Sequence, residues 1–309
     1  MINVTRSVIF AAFAALAVVW ASENNLFSPD SEIVFEAESP YQTIYVTREG
    51  NILALRNGSR FARTSFIDVT KPYRHVFEYT GLMMMALAYL GEPKSALVIG
   101  LGGGTVSKYL KKYYPDLYII NIEMDPIVAK AAKQYFDFVE TATNRIVVMD
   151  GRRFLSRSDE KYDLIFLDAY HGGYIPFHLL TKEFLTLVKD HLSENGVVVS
   201  NTWRSQKLYE RESATWADVF GYFDSYLGQR SGNRIVMATK AGRRYSPSEL
   251  IARMTATQKK KQFQEISLPK MASDTLDRKS FFPPGTPILT DDYAPVNLLV
   301  DRRQRPVGQ

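Results

Sequence analysis

"LVIGLGGGTVSKYL", Leu97 to Leu110, runs from an apolar strand pattern into a glycine cluster and on into a helix pattern. Glycines at Gly100, Gly102, Gly103 and Gly104 remove side chains where the backbone turns, so a ligand can approach the main chain closely. The dinucleotide fingerprint G-x-G-x-x-G would need a third glycine where Thr105 stands. Taken alone, the stretch fits a nucleotide-phosphate cofactor, an adenosyl group, or a tight turn with no ligand. Its neighbours narrow the choice.

Downstream the pattern alternates. "SALVIG" reads as a strand and "TVSKYLKKYY" as a helix, followed by strand "LYIINIE" and helix "PIVAKAAKQYF" with Pro126 in its first turn. "RIVVMD" and "YDLIFLD" continue as strands, "LTKEFLTLVKDHL" as a helix closed by a "SENG" turn, and "GVVVSNT" as a strand. This alternation predicts an α/β fold, a mostly parallel doubly wound sheet of Rossmann-like type with helices on both faces. Upstream, "EIVFEAES", "QTIYVTRE", "NILALRNG" and "RFARTSFIDV" predict a small antiparallel sheet of hairpins. "RHVFEYTGLMMMALAYL" reads as a buried helix, its methionines as core filling.

The chain has 309 residues, a net charge of +5 and no cysteine. Disulfides, thiolate zinc sites and cysteine nucleophiles are therefore excluded. No His/Glu spacing suggests a metal, and the short basic runs at Lys259–Lys261 and Arg302–Arg303 lack the aromatic interleaving of an RNA surface, so neither metal nor nucleic acid is expected. Arg6 precedes the uncharged stretch "VIFAAFAALAVVWA", Val8 to Ala21. Its 14 residues rise about 21 Å as a helix, short of a hydrocarbon core of about 30 Å. A cleaved export signal or a short membrane anchor is the expectation. The organisation read from these patterns is a signal or anchor at 1–22, a hairpin domain at 32–72, a Rossmann-like domain at 73–245 and a C-terminal extension at 246–309.

Ligands of doubly wound sheets sit at the carboxyl ends of the strands. Those ends offer the glycine cluster, Glu123, Asp150 with Gly151, and Asp168. Glu123 follows Gly100 by 23 residues, a distance at which an acid accepts from ribose hydroxyls. Asp150 fits either an adenine amino group or a helix N-cap. Asp168 opens "DAYHGGYIPFHLLTKEF", an over-long loop beside the cleft in which Tyr170, His171, Tyr174 and His178 are candidates for shaping a pocket. Asp291, Asp292 and Tyr293 fit either a cation-binding cluster or a solvated turn.

From about Glu36 to Asn201 the chain resembles the spermidine synthase, or polyamine aminopropyltransferase, family. The stretches that carry it are "ESPYQTIYV", "ALVIGLGGGTVSKYLKKYYPD", "IEMDP", "VVMDGRRFL", "YDLIFLDAY" and "LTKEF"; "LTDDYAPV" is typical of a bacterial spermidine-synthase-like branch. The resemblance implies a β domain leading into a class I methyltransferase-like domain, with Gln42 near the sulfur of the nucleotide, Glu123 on ribose, Asp150 on adenine and Asp168 as the base. It implies decarboxylated S-adenosylmethionine as co-substrate, a small amine or polyamine such as putrescine as acceptor, and a homodimer, since members often assemble as dimers or tetramers. Three departures concern the amine half. The acid of the family's G-G-G-D-G-G falls on Gly103, no second acid follows Asp168, and the usual Tyr-His pair falls on Glu78-Tyr79. Glu78, Asp291 and Asp292 are candidate replacements. Two other readings keep the nucleoside pocket: methyl transfer from intact S-adenosylmethionine, and nucleoside binding without catalysis.

Overall fold

The computed structural model describes residues 31–170, 175–204, 206–278 and 282–293. The expected export segment at 1–22, together with His171 and Tyr174, lies outside them. Among the described residues no helix is long and apolar enough to cross a membrane.

Four strands, β1 (Glu32–Glu38), β2 (Thr43–Glu49), β3 (Ile52–Asn57) and β4 (Ser65–Asp68), form an antiparallel sheet in the order β1-β2-β3-β4. Eight more, β5 (Ser95–Ile99), β6 (Tyr118–Glu123), β7 (Asn144–Val148), β8 (Tyr162–Leu167), β9 (Leu192–Trp203), β10 (Asp224–Leu227), β11 (Asn233–Thr239) and β12 (Leu276–Asp277), form the large sheet in the order β12-β10-β11-β9-β8-β5-β6-β7. The strands from β9 to β7 pair in parallel, whereas β11 is antiparallel to β9 and β10 to β11. The expected class I methyltransferase-like fold with a small antiparallel β sheet before it is thus borne out.

The two-residue period of each strand divides the core into two layers. Ala96, Val98, Leu164 and Phe166 face one side, where α1 (Glu78–Met83), α2 (Leu87–Leu90), α3 (Thr105–Tyr113) and the later helices Pro247–Lys261 and Leu268–Thr275 pack. Leu97, Ile99, Ile165 and Leu167 face the other, covered by α6 (Lys182–Asp190) and α7 (Gln206–Phe220). Met83, Met84 and Met85 are fully buried in the first layer, as core filling requires. Each fully buried side chain of this size contributes about 1.5–3 kcal/mol relative to exposure.

Two details differ from the sequence reading. "SENG" is no turn: β9 begins at Leu192, and its pairing with β8 slips between Tyr162 and Leu164 to absorb the extra residues. The helix before the glycine cluster is broken by a 3-10 turn at Met84–Ala86 between α1 and α2, and its residues from Leu82 to Tyr89 are buried.

The small sheet packs its apolar face, Ile44, Val46, Leu53, Leu55 and Ile67, on Val128, Ala131 and Phe136 of the segment around α4 (Pro126–Tyr135). Two hydroxyls then fix it to the large sheet's loops. Ser39 Oγ donates to Asp125 Oδ2 at 2.6 Å, and Ser65 Oγ accepts from Gly103 N at 3.1 Å.

Candidate active site

In the large sheet, β5 leads to β6 and β7 on one side and to β8 and β9 on the other, so the topology reverses between β5 and β8. The strand ends there line up as Asp150, Glu123, the glycine turn, Asp168 and Asn201, on five neighbouring strands. From β7 to β8 is three inter-strand steps of about 4.8 Å, roughly 14 Å in all. The groove that such sheets offer outside the carboxyl ends of their strands would here span the scale of a nucleoside with a short arm.

Gly100 holds the turn at φ +98°, and a Cβ there would sit 2.3 Å from the Asp168 carbonyl oxygen. Its N–H continues the ladder to Ile122 O at 2.9 Å, while Asp168 N donates to Ile99 O at 2.8 Å. Gly102 and Gly104 also have positive φ, and Gly104 starts α3. A side chain at Gly103 would meet the Phe136 ring and Ser65 Oγ, both at 2.9 Å, so the space beside the family's acid position is already filled.

Glu123 sits under this turn. Its Oε2 accepts from Leu101 N at 3.2 Å and Gly102 N at 3.4 Å, and Oε1 accepts from Asp125 N at 3.0 Å. Burial pushes its pKa up, against the pull of these three N–H groups. Gln42 follows the β1–β2 turn that Ser39 ties to Asp125, which brings the small sheet to the same end of the groove. Its Oε1 lies over Gly58.

Asp150 is an N-cap: its Oδ1 accepts from Arg153 N at 2.9 Å at the start of α5 (Gly151–Leu155). Its Oδ2 lies 2.9 Å from His178 Nε2, and that bond is the main reason its pKa falls below the ordinary carboxylate range. Gly151 admits close packing, since a Cβ there would lie 2.4 Å from Ile99 Cγ2.

Asp168 has a different setting. Asn201 Nδ2 donates to its Oδ1 at 2.9 Å, and the Tyr79 hydroxyl donates to its Oδ2 at 3.3 Å. At these strand ends a small cavity is lined by Ile99, Leu167, Ala169 and Ile175, with Ser200 and Asn201 as its polar lining. Burial in this setting pushes the Asp168 pKa up to about 7, with Asn201 and Tyr79 drawing it down. Tyr170 donates to Asn201 O at 3.0 Å and meets Trp203 edge-on at 5.7 Å between ring centroids. Phe77 stacks on Tyr79 at 5.9 Å. The carboxyl end of β8 is therefore a carboxylate in an aromatic frame.

The remaining candidates fall elsewhere. Glu78 binds the β10–β11 loop, its carboxylate accepting from Gln229 N at 3.1 Å and Arg230 N at 2.8 Å. Asp291 is gripped by Arg152 through both guanidinium arms, at 2.7 and 2.5 Å, and by Thr181 Oγ1 at 2.7 Å. It belongs to the Asp150 end of the groove, and Arg152 holds its pKa down. Asp292 and Tyr293 are exposed in a turn. Sequence reasoning missed Asn201, Trp203 and Asn233, which are ordinary polar or aromatic residues in strands, and Ser65, which belongs to the other sheet.

A family model described as "Spermine/spermidine synthase domain" matches residues 76–227. A polyamine aminopropyltransferase of Vibrio vulnificus is 32% identical over 297 residues, covering 92% of this chain and 98% of the relative. The chain belongs to the spermine/spermidine synthase family. The expected transferase class, that of the polyamine aminopropyltransferases, is borne out with it. Among solved structures, a probable spermidine synthase from Corynebacterium glutamicum aligns with a TM-score of 0.67 at 19% identity, covering 84% of this chain and 96% of the other. A spermidine synthase in complex with the transition-state analogue AdoDATO aligns at 0.60 and 18% identity, covering 80% and 84%. At these identities the structures speak to the fold.

Proposed function

We propose that the chain transfers an aminopropyl group from decarboxylated S-adenosylmethionine to a small amine or polyamine acceptor such as putrescine. The observation that carries this reading is the Asp168 carboxyl at the strand end beside the glycine turn, held by Asn201 and Tyr79 and pushed up to about 7 by burial. In the proposed complex adenine lies at Asp150, ribose at Glu123 and the sulfonium over Gly100–Gly104, near Gln42. The acceptor enters between Tyr79 and Tyr170. A polyamine arrives as ammonium and has no lone pair to offer until it loses a proton. Asp168 carboxylate takes that proton, the freed nitrogen attacks the methylene carbon next to sulfur, the C–S bond breaks, and its electron pair stays on sulfur as methylthioadenosine. Alignment of the two reactants supplies most of the acceleration, with the base adding to it. With Gly103 in place of the family's acid, and Glu78 and Asp291 already engaged, the aromatic frame of Tyr79, Tyr170 and Trp203 is left to hold the acceptor's cationic end.

The test is to incubate the full chain with decarboxylated S-adenosylmethionine plus putrescine or spermidine, and separately with intact S-adenosylmethionine. Mass spectrometry should find methylthioadenosine with a matching longer polyamine. S-adenosylhomocysteine from the second mixture would replace this reading with methyl transfer. Binding with no product from either would replace it with a non-catalytic nucleoside-binding role. Glu123→Ala should weaken methylthioadenosine binding about 10–100-fold in calorimetry, the loss of hydrogen bonds to a charged acceptor; unchanged affinity would remove ribose from this carboxylate. Export or membrane anchoring through Val8–Ala21 is part of the same proposal. A reporter fused after Ala21 should leave the cytoplasmic fraction, and one that stays soluble there defeats it.

A further inference from the structure

Asp168 is held by two amides in series. Asn201 Nδ2 donates to Asp168 Oδ1 at 2.9 Å, and Asn233 Nδ2 donates to Asn201 Oδ1 at 2.8 Å. A side-chain amide has a donating end and an accepting end, and a half-turn exchanges them. Asn201 is 2% exposed and Asn233 9% exposed, so protein groups rather than bulk water set which end faces Asp168.

The fold gives Asn233 its place. Because β11 runs antiparallel to β9, its first residue falls opposite Trp203, at the end of β9 that lies in the cleft. Asn233 O accepts from Gly228 N at 3.0 Å, closing the loop that precedes it. Glu78 holds that same loop through Gln229 N and Arg230 N. Adjacent residues at the start of α1 thus serve Asp168 by two routes: Tyr79 directly, Glu78 through the loop that carries Asn233.

We infer that Asn233 is a positioning residue for proton transfer: it pins the oxygen of Asn201 and so keeps the Asn201 N–H, rather than its oxygen, on Asp168. This rests on Asp168 being the base. An N–H facing the carboxyl favours its ionised form, whereas a carbonyl oxygen there favours its protonated form. The other groups around the pair are the Tyr79 hydroxyl from α1, Tyr170 from the loop after β8, and Glu212 of α7, which acts on Tyr170. Glu212 in turn pairs at 3.9 Å with the buried Arg234, the residue after Asn233 in β11.

The experiment uses the full chain and two variants, Asn233→Ala and the near-isosteric Asn233→Asp. Aspartate labelled with ¹³C at the carboxyl carbon reports the titration of Asp168 directly, its signal assigned by loss in Asp168→Asn. The midpoint should rise in Asn233→Ala and rise further in Asn233→Asp. A carboxylate at position 233 accepts from Asn201 Nδ2, turning the Asn201 oxygen toward Asp168 and adding a negative charge. The acid limb of kcat/KM should follow, falling about tenfold at pH 6 for each unit of rise, with donor KM unchanged. A midpoint that stays put in Asn233→Asp, with thermal melts showing a folded protein, would overturn the inference and leave Asn233 a structural residue. A midpoint that moves in a protein releasing no methylthioadenosine would keep the relay and overturn the transfer reaction.

Discussion

Asp168→Asn is expected to lower turnover by about 10²–10⁴-fold, the range for losing a positioned base, while leaving methylthioadenosine affinity within a few-fold of wild type. The same change should stabilise the protein above neutral pH. The Asp168 pKa is about 7 in the fold against an ordinary 3.8. Between those two values the native state holds a proton that the unfolded chain has released, so stability falls as pH rises through this window. Above about pH 7 the decline from this group is complete. Asn keeps the shape without the charge: its oxygen still accepts from Asn201, and its amide can donate to the Tyr79 hydroxyl. Melting temperatures of the two proteins should agree near pH 4 and diverge by pH 8, with the variant higher. Undiminished turnover would remove Asp168 from the chemistry. Melting curves that stay parallel from pH 4 to pH 8 would show that its burial costs the fold nothing.

On the proposed mechanism, this trade explains why a carboxylate stays where it weakens the fold. An acid at the ordinary value would be ionised at neutral pH but a weak base. Burial strengthens it, and the donors Asn201 and Tyr79 limit the rise so that an ionised fraction remains. The balance depends on elements far apart in the chain: α1, β8 and β9, with β11 behind them.

That separation marks where the sequence stops being informative. Parallel strands buried on both faces write themselves as apolar runs, and a ligand-bearing strand end writes itself as an abrupt glycine or acid after the run. "LVIGLGGG", "IINIE" and "LIFLD" were readable for that reason, and Gly100, Glu123 and Asp168 with them. Asp150 showed only that a polar group was needed, because capping α5 and meeting a ligand call for the same side chain. Asn201 and Asn233 carry no local signal, since their value lies in meeting diagonally across two antiparallel strands whose register no single segment encodes. The engagement of Asp291 by Arg152 is invisible for the same reason, 139 residues separating the partners. For Glu78 a family pattern gives a position along a helix, whereas the direction of the side chain depends on the β10–β11 loop it meets.

Gly100→Ala should be among the most damaging single-methyl changes in the chain. Two effects act together. At φ +98° an L side chain is strained by about 1–2 kcal/mol. The added Cβ would also lie 2.3 Å from the Asp168 carbonyl oxygen and 2.6 Å from its carbonyl carbon. Those are backbone atoms of the neighbouring strand end and cannot rotate away. Relief requires β5 and β8 to part, weakening the Asp168 N to Ile99 O bond beside them. Overpacking of this kind adds about 1–3 kcal/mol, for a total of about 2–5 kcal/mol. At about 2–4 °C per kcal/mol, the melting temperature should drop by roughly 5–20 °C. Gly50→Ala separates the two effects, because Gly50 also has a positive φ, +54°, but has nothing within 4 Å of an added Cβ. It should show the conformational cost alone and keep full turnover. Gly100→Ala should lose turnover beyond what its melting temperature explains, because the strand end it displaces is the one that carries Asp168, the proposed base. Equal effects from the two substitutions would mean that the glycine serves only the turn, and that the contact between β5 and Asp168 yields at no cost to catalysis.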